Sequence, residues 1–96
     1  MKDNNHILTI LRSAKPNLQK KYPIGDIGLF GSRARGDFHS KSDIDILVEI
    51  KGFMGFEFMQ LADDLEEILG EKIDLIAKNS LRIKAFNFIA KDLIYA

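Results

Sequence analysis

The chain predicts a mixed α/β domain, a small mixed β-sheet covered by helices, and three patterns predict it. Apolar stretches of strand length stand at Ile27-Gly28-Leu29-Phe30, from Asp43 to Ile50, and at Lys72-Ile73-Asp74-Leu75-Ile76. Before, between and after them, apolar residues recur at helical spacing, so helices and strands alternate. The third pattern is size: 96 residues fit one domain, 1–96, with one core and no room for a second.

An amphipathic helix opens the chain from about residue 4, with Ile7, Leu11, Ala14 and Leu18 in one stripe and Leu8 and Ile10 widening it. Pro16 falls inside this pattern and is expected to begin a second helical piece, because proline suits a first turn and pushes Lys15 out of helix. Tyr22-Pro23-Ile24-Gly25-Asp26 then turns the chain into the first strand, which ends at Phe30. Ser32 is placed to cap a short helix through Arg33, Ala34 and Arg35.

The second strand alternates strictly. Ile44, Ile46, Val48 and Ile50 point one way and Asp43, Asp45 and Glu49 the other, with Leu47 the one apolar residue among the polar ones. In the connection Lys51–Gly55, Phe53 and Met54 either cover the edge of the core or form a flap. A helix follows, with Phe58, Leu61, Ala62, Leu65, Ile68 and Leu69 on one face and Asp63, Asp64, Glu66 and Glu67 on a solvated one, ended by Gly70. The third strand turns Ile73 and Leu75 to the core and Asp74 away. Ser80 is a natural N-cap for a last helix from Leu81 to about Tyr95, burying Ile83, Phe86, Ile89, Ala90 and Leu93. Phe88 and Tyr95 fall outside that stripe, seven residues apart, and suggest a patch for another chain.

Composition narrows the function classes. Fourteen basic and fourteen acidic residues cancel, so no polyanion-binding surface is advertised and no direct nucleic-acid binding is expected. With no cysteine, disulfides and thiolate metal sites are excluded, which fits a reducing cytoplasm. No signal-like start and no membrane-length apolar run occur, and a cytoplasmic protein is expected. His6 and His39 each lack a partner at metal-ligand spacing and read as surface residues.

Special-backbone residues and paired carboxylates occur together only between Gly31 and Asp45. Gly31-Ser32 follows a strand, and its small residues let backbone N–H groups face an anion. Asp43 and Asp45 lie two apart on a strand, roughly 6.5–7 Å at the backbone, so their carboxylates can converge on ions ~3.5–4 Å apart, as two-metal phosphoryl chemistry requires. Repulsion between them argues for a cation, and oxygen ligands argue for Mg²⁺. Taken alone, Asp-x-Asp also occurs on the solvated face of an edge strand. Arg35 pairs with a nearby carboxylate or contacts a phosphate-bearing ligand such as a nucleotide, and Arg33, one residue away on a helical turn, diverges from it and carries less weight.

Gly-Ser, ten residues, then Asp-x-Asp on the next strand resembles the signature of the DNA polymerase beta-like nucleotidyltransferase superfamily. The fuller string GSRARGDFHSKSDIDILV is similar to its minimal nucleotidyltransferase (MNT) branch, whose members are often encoded beside a HEPN-domain protein. The resemblance implies a palm-like core, Gly31 and Ser32 gripping the triphosphate of ATP, and Asp43 and Asp45 binding Mg²⁺. It also implies a third carboxylate from a later strand, for which Asp74 is the candidate, and two Mg²⁺ ions shared among the three aspartates. The activity implied is AMP transfer from ATP to a tyrosine hydroxyl of a HEPN ribonuclease toxin, the chain acting as antitoxin in a hetero-oligomer with it. The alternative is a non-catalytic antitoxin that occludes its toxin. Three carboxylates converging on one place favour the enzyme, since occlusion does not require them.

Overall fold

The computed structural model of the chain describes residues 2–37 and 42–96; His39, assigned above to a surface loop, lies outside them. Asp3 starts the first helix, its carboxylate accepting the His6 backbone N–H. This helix, α1, runs Asn4–Lys21 without interruption. Pro16 therefore sits inside one helix and does not begin a second, which corrects the expectation from sequence. The proline removes one backbone bond, but the carbonyl it strands belongs to exposed Arg12, and buried Leu11 and Leu18 hold both sides of it to the core.

Four strands follow in the spatial order β3-β2-β1-β4. β1 (Ile24–Phe30) begins earlier than its apolar run, and its pairing with β2 (Ile44–Ile50) shifts between Ile24 and Ile27, where Gly25-Asp26 is accommodated. β1 and β2 are antiparallel. α3 (Glu57–Leu69), closed by left-handed Gly70, carries the chain across to β3 (Ile73–Ala77), which lies parallel to β2. Asn79 continues that edge by both donating to and accepting from the Ile50 backbone.

The C-terminal quarter departs from its periodicity. α4 spans only Ile83–Ala90, and β4 (Ile94–Tyr95) adds antiparallel to the free edge of β1. Gly28 makes this possible, because an added Cβ there would meet the Leu93 side chain, the Ile94 carbonyl and the Tyr95 ring. Ala96 donates its N–H to the Ile27 carbonyl and completes the pairing. Tyr95 is thus a strand residue, and Phe88 and Tyr95, expected seven apart on one helix, lie on two different elements. No residue of α4 is buried, and Ile83, expected in the core stripe, is 79% exposed. Ser80 caps no helix: its hydroxyl donates to the Ala77 carbonyl across the single 3₁₀ turn Lys78–Ser80, and Arg82 precedes α4.

The core lies between the sheet and the α1/α3 layer, where Ile7, Leu11, Leu61, Leu65 and Leu69 meet Ile27, Leu29, Ile44, Ile46 and Val48. Each such side chain contributes about 1.5–3 kcal/mol on burial. Met54 packs against this core, whereas Phe53 is 90% exposed. The acidic face of α3 is only partly solvated, since Asp64 accepts from the Tyr22 hydroxyl and the Lys21 ammonium, and Glu66 from the Ile73 N–H. With one face of β2 committed to the core, its opposite face presents Asp45 and Glu49 beside buried Leu47.

Candidate active site

Gly31 ends β1 with φ +75°, a conformation that L side chains rarely adopt. A Cβ on it would strike the Asp45 carboxylate, so the turn and the acid are in direct apposition. The turn enters α2 (Ser32–Arg35), whose first residue, Ser32, has an amide with no intrahelical acceptor. The Ala34 and Arg35 amides return to the Gly31 carbonyl and fix the turn. Ser32 is therefore the first residue of the short helix, and Gly31 holds the cap position assigned to Ser32 from sequence.

Sheet register brings the carboxylates together. Phe30 lies opposite Asp45 on one side, and Asp45 lies opposite Asp74 on the other, one row across three strands. Asp43 precedes β2 at the same end, exposed like Asp74, while Asp45 is half-buried. Burial above all, and then the charges of Asp74 and Asp43, push the Asp45 carboxyl above the ordinary aspartate range, with Arg35 acting against them.

These groups suit a hard divalent cation in kind: oxygen donors, mutual repulsion with Asp45 at its focus, and a neighbouring turn kept clear by a glycine. Among the described residues, no three His, Asp or Glu side chains stand as a closed ligand set. The backbone aligns Asp45 and Asp74, and Asp43 and Asp74 are exposed.

The two arginines differ more than sequence indicates. Arg35 is exposed and held by two carboxylates, Nε donating to Asp37 at 2.9 Å and Nη1 to Asp92 at 2.8 Å. Both acids raise its pKa, Asp37 first. Arg33, given little weight above, is fully buried. Its guanidinium grips Glu71 bidentately, Nη1 to Oε1 at 2.9 Å and Nη2 to Oε2 at 3.2 Å. It also donates to the carbonyls of Lys2 at 2.8 Å and Ser42 at 3.3 Å. The one hint in sequence was a lone acid, Glu71, directly after the helix-ending Gly70.

The sequence profile described as the nucleotidyltransferase domain matches residues 11–95. A Methanocaldococcus jannaschii protein carrying the provisional name protein adenylyltransferase is 44% identical over 99 residues, covering 99% of this chain and 99% of its own. Among solved structures, one provisionally described as a minimal nucleotidyltransferase superposes with a TM-score of 0.74 at 27% identity, covering 91% of this chain and 93% of its own. A chain from the complex of a tri-AMPylated Shewanella oneidensis HEPN toxin with an MNT antitoxin superposes at 0.57 and 25% identity, over 95% of this chain and 66% of its own. An α/β sheet whose first turn is kept open by Gly31 beside Asp45, and a profile match over nearly the whole length, lead to one conclusion: this chain belongs to the nucleotidyltransferase domain family, among its minimal members, and is an enzyme of that class.

Proposed function

We propose that the chain transfers AMP from ATP to a tyrosine hydroxyl of a HEPN-family ribonuclease toxin, with Mg²⁺, and so acts as its antitoxin. The observation that carries this is the Asp45 carboxylate lying over Gly31 and in register with Asp74, which sets a glycine turn beside paired acids. The named adenylyltransferase relative and the similarity to the AMPylated toxin complex support it.

Gly31 and the Ser32 amide and hydroxyl hold the β- and γ-phosphates. Arg35, tied to Asp37 and Asp92, bears a charge that acts against the raised carboxyl of Asp45 and is assigned a nucleotide contact. Asp43, Asp45 and Asp74 would hold the Mg²⁺, which when bound neutralises the triphosphate and lowers the pKa of the incoming hydroxyl. The acceptor oxygen attacks the α-phosphorus, the bond to the bridging oxygen of the β-phosphate breaks, and pyrophosphate leaves. Asp74 takes the hydroxyl proton as general base. A phosphate-bearing adduct on the toxin blocks RNA by bulk and by charge.

Co-expression with the product of the neighbouring gene, followed by intact-mass measurement, tests the reading. The wild type is expected to add multiples of an AMP mass to the partner, and Asp43→Asn to add none. Equal neutralisation by both with no mass gain establishes occlusion in place of transfer.

A further inference from the structure

Among the described residues, Arg33 is the one charged side chain wholly removed from solvent, and the mechanism above does not use it. Its own position and two of its contacts fall on three separate segments that bear the site. Arg33 follows the Gly31-Ser32 turn directly; Ser42, whose carbonyl it binds, precedes Asp43; and Glu71 begins the approach to Asp74. The Ile44 N–H donates to the Lys72 carbonyl at 3.0 Å, so the starts of β2 and β3 are fastened beside the same point. The Lys2 N–H and carbonyl bind Glu71 and Arg33 in turn and close this cluster from the α1 side.

Burying an ion pair is a poor source of stability, because desolvation offsets most of the attraction. What a planar guanidinium fork on a carboxylate does supply is fixed distance and fixed direction. We infer that Arg33 is a positioning residue: its bidentate clamp on Glu71, with its bond to the Ser42 carbonyl, sets the spacing among the Gly31-Ser32 turn, Asp43 and the strand that bears Asp74. Enclosed as it is, Arg33 touches no substrate and acts through these segments. The inference rests on the reading of the three aspartates as cation ligands.

The test compares Arg33→Lys, which cannot fork, and Glu71→Gln, which keeps the side-chain shape but loses the charge, with Asp64→Asn. Asp64 bonds Lys21 and Tyr22 at the junction of α1 and α3, so its loss is a purely structural lesion. Mn²⁺ serves as the probe, its free concentration followed by electron paramagnetic resonance at a temperature where each variant is folded by circular dichroism. Removing an outer support of metal ligands weakens affinity about 10–100-fold, and both clamp variants are expected in that range. Asp64→Asn is expected to melt earlier and bind Mn²⁺ like the wild type.

Wild-type Mn²⁺ affinity in a folded clamp variant overturns the inference while the site reading stands. Loss of folding in both clamp variants also overturns it, in favour of a purely structural role. If the wild type itself binds no Mn²⁺, the cation reading of Asp43, Asp45 and Asp74 fails and the clamp's role falls with it.

Discussion

At Gly31 two constraints coincide: a backbone at φ +75° and a carboxylate where a side chain would begin. Gly31→Ala is therefore expected to act twice. With ψ at −157° this is not the left-handed helical well but a region open essentially to glycine alone, and forcing alanine into it costs roughly 1–3 kcal/mol. The methyl group also pushes Asp45 off the turn, against the sheet register that holds it. A chemical denaturation curve reads the first effect and the thermal shift on adding Mg-ATP the second. Both should fall together in Gly31→Ala, whereas alanine at Gly36, left-handed at φ +85° but with open space around it, should show only the first.

Among the elements, β4 depends most on a single position. Leu93, Ile94 and Tyr95 crowd the space above Gly28, so Gly28→Val should lift β4 from β1 while leaving the α1/α3 core in place. Amide hydrogen exchange checks this: the Ala96 N–H, bonded to the Ile27 carbonyl, should lose protection, and amides of β2 should keep theirs. The same strand marks where sequence ceased to be informative. Alternation in β2 and the stripe of α3 were legible because each buries one face, a local pattern with one solution. The residues 81–95 carry an equally helical stripe, yet the free edge of β1 claims Ile94 and Tyr95, and an unpaired edge has no signature in the segment that will cover it. In the site, Gly31, Ser32, Asp43 and Asp45 were readable as one motif. That Asp74 stands level with Asp45 is a fact of parallel register, and the Arg33–Glu71 pair joins residues 38 apart, so neither is written in local spacing.

For the whole molecule, opposed acids shape stability against pH. Arg33 holds the Glu71 carboxyl below its ordinary 4.5, and Lys21, followed by Tyr22, holds Asp64 below 3.8. The stability these two contribute is complete above those values and is lost as pH falls through their lower folded ones. Asp45 behaves oppositely: its carboxyl is raised above 3.8, the native state keeps the proton longer, and stability falls as pH rises through that raised value. Asp45→Asn should therefore gain on the wild type more at pH 7 than near pH 4, and added Mg²⁺ should stabilise the wild type at pH 7 but not the variant. Melting curves at the two pH values, with and without Mg²⁺, check both statements. The turn and the first two acids belong to the chain before the connection 51–56, and Asp74 to the chain after it. A protein cut in that connection would carry the proposed phosphate-holding turn in one fragment and the proposed general base in the other. Asp74 would come level with Asp45 only when β3 docks again alongside β2, so AMP transfer by the rejoined halves would report the parallel pairing of two strands.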